Sequence, residues 1–154
     1  VLVVPRQCHV YQLSNCIREI FGKNTLISKI ESIQGVLNLK EILPLVDQIL
    51  IDRGDLSREM PIEKISFIQR SIISYAHMMY ETPVYVATNL LESMINHDSQ
   101  DVASTLLMGA SGLVLAAETA IGQYPVESVE MIAAIIKQFE QWSPEASFQD
   151  LISS

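Results

Sequence analysis

The sequence predicts an α/β fold built on a parallel sheet. Short apolar runs alternate five times with segments of helical pattern along the 154 residues, which is the arrangement of βαβ units. Charged residues directly follow two of these runs, and α/β barrels carry their catalytic groups at that end of their strands. Because a hydrophobic content of 49% is ample for a core, we expect the units to fold around one sheet.

The predicted strands are apolar runs that end at polar or turn residues. The first run consists only of valine and leucine with no polar residue before it, so we expect the chain to begin within a strand of a longer protein. The second and third end in charge, and the fourth starts with a proline, which a strand tolerates at its first position. The predicted strands comprise residues 1–4, 25–30, 48–51, 83–87 and 112–116.

Between the strands, apolar residues recur at helical spacing. The third helical segment begins with a proline, which favours a helix start. The fourth holds one or two helices and ends at Gly109, a residue type that stops helices. The predicted helices comprise residues 9–21, 37–46, 61–80, 89–109 and 125–142. The domain is therefore predicted to cover residues 1–142, followed by a polar linker or frayed tail at residues 143–154.

The composition argues against two classes of partner. The net charge of −8 and the pI near 4.7 do not suit nucleic acid or an anionic membrane, because both select basic surfaces. The apolar runs are too short to span a bilayer, and we expect no secretory signal. Cys8 directly precedes the first predicted helix and Cys16 lies within it, so the two are about 12 Å apart along its axis, too far for a disulfide. We therefore expect a cytoplasmic protein with reduced thiols.

The charged residues at the strand ends suit metal-assisted chemistry. We expect Glu31 and Asp55 to project from neighbouring strand ends, where two carboxylates suit a hard cation such as Mg²⁺. Lys29, two residues before Glu31, faces the same side of its strand, and a cation beside a metal suits an enolate or a moving phosphoryl group. Thr88, at the next strand end, offers a hydroxyl that relays a proton or holds a carboxylate. The alternative is a purely structural ion-pair network of Lys29, Glu31 and Asp55.

Four motifs follow one another along the chain. They are Lys-Ile-Glu at residues 29–31, Arg-Gly-Asp-Leu at 53–56, Ala-Thr-Asn-Leu-Leu-Glu-Ser-Met at 87–94, and Glu-Thr-Ala at 118–120 with Tyr-Pro at 124–125. In this order they resemble the motifs of pyruvate kinases, and the resemblance extends from residue 1 to about residue 141. It implies a parallel (β/α) barrel of TIM type, here a partial barrel of about five βα units that correspond to the fourth to eighth strands.

The resemblance also implies an activity and a role for each matched residue. The reaction would be phosphoryl transfer from phosphoenolpyruvate to ADP, with Mg²⁺ or Mn²⁺ and K⁺ as cofactors. Lys29 matches the lysine that stabilises the phosphoryl group and the enolate, and Glu31 and Asp55 match the metal ligands. Gly54 and Asp55 match the backbone step that holds the substrate carboxylate. Thr88 matches the threonine that lies beside the pyruvate methyl group and takes part in its protonation.

Several positions depart from the family pattern. Ser32 replaces the usual asparagine, and Ser57 replaces a glycine. The loop at residues 95–101 is shorter than in the family and lacks its arginine, while the serine-glycine pair before the last motif is alanine-alanine at 116–117. Ile121 replaces the lysine that touches nucleotide phosphate, and the potassium ligands belong to strands that this chain lacks. The enolate half of the site is therefore predicted to be intact, and the nucleotide half damaged or absent.

Two other functions stay open. One is a diverged, non-catalytic pyruvate kinase-like fragment or paralogue that acts as a binding or assembly partner. The other is a lyase that uses the same metal and enolate chemistry without a nucleotide. Five units do not close an eight-stranded barrel, so the remaining strands come from elsewhere or the open sheet associates with another subunit. We expect an oligomer or part of a longer chain that binds phosphoenolpyruvate or pyruvate and ADP or ATP.

Overall fold

The fold is a five-stranded sheet in which every pair of neighbours is parallel and the strands follow chain order. It is seen in a computed structural model that describes residues 2–3, 10–87 and 98–145. The strands are β1 (Leu2–Val3), β2 (Ile27–Ile30), β3 (Gln48–Asp52), β4 (Val84–Ala87) and β5 (Gly112–Val114). Sequential order with one helical crossover after another is the topology of a (β/α) barrel, so the predicted partial parallel barrel is confirmed.

Eight helices connect and cover the strands within the described residues. They are α1 (Val10–Phe21), α2 (Ile33–Leu37), α3 (Leu39–Ile42), α4 (Arg53–Glu59), α5 (Ile62–Tyr80), α6 (Asp98–Leu107), α7 (Ala117–Ala120) and α8 (Pro125–Gln141). The described part of residues 89–109 holds one helix, and Gly109 after it has a positive φ of 95°, the backbone conformation for which glycine is suited. None of the helices in the described part combines the length and apolarity of a membrane span.

The predicted helix over residues 37–46 is replaced by three shorter elements. α2 starts earlier, because the Ser32 side chain accepts a hydrogen bond from the Gly35 backbone N–H at 3.1 Å and caps that helix. Asn38 separates α2 from α3, and a 3₁₀ turn (Leu43–Leu45) follows α3. Pro44 lies inside that turn, where its missing N–H prevents an α-helix from continuing.

The core lies between the sheet and its helices. Alternate residues of β2, β3 and β4 point at the helices and are fully buried: Ile30, Ile49, Ile51, Val84 and Val86. They pack against the inner face of α5, which contributes Ile72, Ile73 and Ala76. A second cluster joins α6, α8 and the β5 segment. Because helices cover one face of the sheet, the residues in between, among them Lys29 and Tyr85, face the other side.

Asp47 stabilises the end of the sheet where β2 and β3 begin, opposite to the strand ends at Ile30 and Asp52. One Asp47 oxygen accepts a hydrogen bond from the Leu26 backbone N–H at 2.7 Å, and the other accepts one from Arg18 at 3.0 Å. The Leu26 hydrogen bond and the nearby Arg18 charge outweigh the effect of burial and hold the pKa of Asp47 below its ordinary value of 3.8. Asp47 therefore ties α1 and the start of β2 to the start of β3.

We expect Asp47→Asn to lower the free energy of unfolding by about 1 kcal/mol at neutral pH, a small value because the side chain is part-exposed and screened. The folded-state pKa is depressed, so the contribution of Asp47 is fully present above about pH 3.8 and is lost as the pH falls through the folded value. Denaturant unfolding of both proteins at several pH values measures this. A difference between them that persists unchanged in strong acid would contradict the assignment.

The division of the chain into residues 1–142 and a tail at 143–154 stays a prediction. Helix α8 ends at Gln141, close to the predicted limit, and residues 142–145 form no helix or strand. The later residues lie outside the described part of the chain.

Candidate active site

Lys29 and Glu31 occupy the end of β2. Along this strand Ser28 and Ile30 are buried while Lys29 is partly exposed on the other face. Glu31 follows the last strand residue by one position, so it returns to the Lys29 side. The Lys29 Nζ and a Glu31 carboxylate oxygen are 2.7 Å apart. The prediction that these two side chains share one side of the strand is confirmed.

Asp55 does not stand at a strand end, which corrects the sequence-based prediction. Strand β3 ends at Asp52, and the Arg-Gly-Asp-Leu motif forms the first turn of α4. Asp55 nevertheless reaches the same place, with one carboxylate oxygen 3.4 Å from the Lys29 Nζ and the other 2.9 Å from Arg58. Lys29, Glu31 and Asp55 are therefore brought together, but Asp55 comes from the start of a helix and not from the end of a strand.

Asp52 is a member of this cluster that the sequence-based prediction missed. It is the last residue of β3 and the N-cap of α4, and it is buried. One of its oxygens accepts a hydrogen bond from the Asp55 backbone N–H at 3.2 Å, and the other lies 2.8 Å from the Lys29 Nζ. The available signal was an aspartate directly before a helix start, where aspartate is a preferred capping residue.

The cluster surrounds one ammonium group with carboxylates. Oxygen atoms of Glu31, Asp52 and Asp55 all lie within 4.8 Å of one another. Burial by itself would lower the pKa of Lys29, but its hydrogen bonds to Asp52 and Glu31 and the charges of these carboxylates raise it above the ordinary 10.5. Lys29 therefore carries a positive charge at physiological pH.

Helix α4 is held at both ends by groups from neighbouring segments. At its start, Arg53 makes a two-pronged ion pair with Asp101 of α6, with nitrogen–oxygen distances of 3.0 and 2.6 Å. At its end, a Glu59 oxygen accepts a hydrogen bond from the Ile33 backbone N–H at 2.9 Å. These contacts fix the helix that carries Gly54 and Asp55 between α2 and α6.

The Arg53–Asp101 pair is expected to contribute about 1–2 kcal/mol of stability, between the values of exposed and buried ion pairs, because Arg53 is largely buried and Asp101 is not. A double-mutant cycle of Arg53→Met and Asp101→Asn, followed by denaturant unfolding, isolates that coupling from the other contacts of Arg53. Additive effects of the two substitutions would show that the pair contributes nothing of its own.

The positions that depart from the family pattern have different surroundings. Ser32 caps α2, and the Ser57 hydroxyl donates a hydrogen bond to the Gly54 carbonyl at 2.7 Å, so both serines satisfy local backbone groups. Ile121 is 86% exposed and offers no charge to a nucleotide. Residues 98–101 of the short loop form the start of α6. Thr88 and residues 95–97 lie outside the described residues, so the position of Thr88 relative to Lys29 stays a prediction.

Comparisons with known proteins agree on one family. The family model for the barrel domain of pyruvate kinase matches residues 6–129. A pyruvate kinase of Dictyostelium discoideum is 39% identical over 150 residues, covering 91% of this chain and 29% of that protein. One from Thermococcus litoralis is 42% identical over 132 residues, covering 82% of this chain and 28% of that protein.

A solved structure gives the same result. The crystal structure of a pyruvate kinase from Cryptosporidium parvum superposes with a TM-score of 0.78 at 32% identity, and the match covers 85% of this chain and 30% of that one. The chain thus spans less than a third of the length of these relatives. From its barrel topology, its ordered motifs and these matches, the chain belongs to the pyruvate kinase family.

Proposed function

We propose that this chain forms part of the catalytic barrel of a pyruvate kinase and takes part in phosphoryl transfer from phosphoenolpyruvate to ADP. The observation that carries the proposal is the placement of Lys29 among three carboxylates, with Glu31 and Asp52 at the carboxyl ends of two adjacent strands and Asp55 in the first turn of α4. That is the barrel end at which catalytic groups stand. Family membership then selects this reaction among those that such a cluster supports.

The donor set fits a divalent cation of the Mg²⁺ type. The three carboxylates offer hard oxygen ligands within 4.8 Å of one another, and Glu31 and Asp55 are the two that are partly open to solvent. Mg²⁺ is commonly bound through one or two carboxylates and keeps sites for water and substrate oxygens. We propose that Glu31 and Asp55 hold Mg²⁺ or Mn²⁺, which when bound would neutralise charge on substrate oxygens. A K⁺ requirement is proposed from family membership alone.

In the proposed reaction, the bond between phosphorus and the enol oxygen of phosphoenolpyruvate breaks while a β-phosphate oxygen of ADP forms the new bond to phosphorus. Lys29 supplies a fixed positive charge to the moving phosphoryl group and to the enolate that is left behind. The enolate then takes a proton at its methylene carbon and becomes pyruvate, with Thr88 on the path of that proton. The first turn of α4, at Gly54 and Asp55, lies beside the substrate carboxylate.

A second function is favoured by specific losses. Ile121 is exposed where the family has a phosphate-contacting lysine, and the loop at residues 95–101 lacks its arginine. These losses suit a diverged member that binds a catalytic pyruvate kinase subunit.

Exposed apolar side chains on α8, namely Val126, Val129 and Met131, lie on the helix that packs beside the edge strand β5. Such a surface suits cover by further barrel units or by another subunit in either function.

The location is proposed to be the cytoplasm, although one relative, isozyme G of Ricinus communis, is a chloroplastic enzyme.

Hydrogen exchange at the methyl group of pyruvate tests the proposal. The experiment uses the protein at its full expressed length. We expect it to exchange these protons in deuterated water with Mg²⁺ and K⁺, as followed by NMR with and without ATP. Oxalate, a flat dianion that mimics enolpyruvate, should raise the melting temperature only when Mg²⁺ is present. A folded protein that shows neither exchange nor stabilisation by oxalate would overturn the catalytic proposal and favour the binding partner.

A further inference from the structure

The three carboxylates around Lys29 differ in how freely they can move. The side chain of Asp52 is 8% exposed, that of Glu31 is 23% exposed and that of Asp55 is 37% exposed. Both oxygens of Asp52 are engaged within the protein, one with the Lys29 Nζ and one with the Asp55 backbone N–H. A buried carboxylate with two such bonds cannot turn away without leaving charged and polar groups unpaired.

The other two carboxylates are closer to solvent and less constrained. Asp55 is at the long distance of 3.4 Å from Lys29, and its second oxygen pairs with Arg58, a residue that is itself mostly exposed. Glu31 follows the end of its strand, and its contact to Lys29 is the ion pair at 2.7 Å. A hydrated cation that arrives from solvent therefore meets Glu31 and Asp55 before it meets Asp52.

We propose that Asp52 is a positioning residue, the fixed counter-ion that holds the Lys29 ammonium in place while Glu31 and Asp55 turn to a divalent cation. This inference rests on the proposed function. An ammonium has three N–H donors, and here it faces three carboxylates. When two of them engage the cation, Lys29 keeps its bond to Asp52 and has two donors free for substrate oxygens. The same Asp52 side chain fixes the start of α4, so it sets the position of Lys29 relative to Asp55.

Two substitutions separate the charge of Asp52 from its capping role. Asp52→Asn removes the charge but keeps an N-cap residue of nearly equal quality, whereas Asp52→Ala removes both. Asp47→Asn is the matched control, because Asp47 also pairs with a basic side chain and a backbone N–H but lies at the other end of the sheet. All variants are made in the protein at its full expressed length.

The first readout is the rate at which a water-soluble amine-reactive ester acylates Lys29, measured by peptide mass spectrometry with and without saturating Mg²⁺. We expect wild-type protein and Asp47→Asn to keep Lys29 protected in both conditions. With Mg²⁺ present, Lys29 in Asp52→Asn should react at least about 10-fold faster than in the wild type, because Glu31 and Asp55 are then engaged with the cation and no carboxylate holds the ammonium. Equal reactivity of Lys29 in Asp52→Asn and in wild type would overturn the inference.

The second readout is kinetic. We expect Asp52→Asn to lower kcat by about 10²-fold, the effect of misplacing one transition-state donor, with much smaller changes in KM for phosphoenolpyruvate and in the Mg²⁺ concentration for half-saturation. A loss of Mg²⁺ affinity as large as that of Glu31→Gln, with Lys29 still protected, would make Asp52 a third metal ligand and overturn the positioning role.

Two outcomes keep this test separate from the test of the proposed function. If Asp52→Asn does not fold, the wild-type protein still decides, because saturating Mg²⁺ should not expose Lys29 to acylation when Asp52 holds it. Exposure of Lys29 by Mg²⁺ in wild type would refute the inference. If the wild type catalyses no transfer but Asp52→Asn exposes Lys29, the proposed function fails while the anchoring of Lys29 by Asp52 stands.

Discussion

Lys29→Met is expected to reduce the turnover of phosphoenolpyruvate and ADP by about 10²- to 10³-fold, the usual cost of removing one preorganised group that stabilises transition-state charge. Methionine is similar in length and apolar, so the substitution mainly removes the positive charge. The buried Asp52 then loses its ion-pair partner at 2.8 Å, and the protein should also become less stable at neutral pH. Initial rates of pyruvate formation and a thermal unfolding curve measure the two effects.

The controls for this experiment are two further lysine substitutions. Lys64→Met changes an exposed lysine of α5 and should leave the rate unchanged. Lys29→Arg keeps the charge, but its planar guanidinium replaces a compact ammonium that contacts three carboxylates. We expect the turnover rate of this variant to be strongly reduced as well. Undiminished turnover in Lys29→Met would rule out the proposed mechanism.

Glu31→Gln is expected to raise the Mg²⁺ concentration for half-maximal activity by at least about 10-fold. The amide keeps the shape of the side chain but removes one of the two carboxylates that are open to solvent, and Mg²⁺ prefers charged oxygen ligands. Part of the activity should return at high Mg²⁺, because Asp55 is still present. Titration with Mn²⁺ followed by electron paramagnetic resonance measures the binding without any turnover.

Glu130→Gln serves as the control for the metal experiment, since Glu130 is exposed on α8 away from the cluster. If Glu31→Gln leaves both the Mn²⁺ titration and the Mg²⁺ dependence unchanged, Lys29, Glu31 and Asp55 would form the purely structural ion-pair network that the sequence left open. Lys29→Met thus tests the charge that stabilises the moving phosphoryl group, and Glu31→Gln tests the binding of the cation.

The sequence predicted the part of the site that depends on strand geometry. The period of two places Lys29 and Glu31 on one side of β2, and that needs no tertiary information. Asp55 was placed correctly in the cluster but on the wrong element, because the change from strand to helix falls inside a run of polar residues after Ile51. Periodicity does not mark such a boundary, and Asp52 was overlooked because its role as a cap depends on where α4 begins.

Other features depended on contacts between distant segments. The pairing of Arg53 with Asp101 joins residues that are 48 positions apart, and no local pattern predicts it. The division of the predicted helix at residues 37–46 has a local cause in Asn38 and Pro44, yet the apolar spacing of that segment favoured one continuous helix. The surroundings of Ser32 and Ser57 show that two departures from the family pattern form hydrogen bonds to neighbouring backbone groups.

The sequential order of the strands has a consequence for how the chain acquires its structure. Each strand pairs with the one that precedes or follows it in sequence, as in Ser28 with Ile49 and Ile49 with Val84, so each pairing has to close one helical crossover and no pairing spans the whole chain. Parallel pairing across such crossovers is slower than local helix formation, and we expect the sheet to grow from one unit to the next. Amide exchange should be slowest in β3, which is the central strand and has a nearly continuous buried sequence. Protection should decline toward β1 and β5, where a further unit would have to dock for the sheet to be completed.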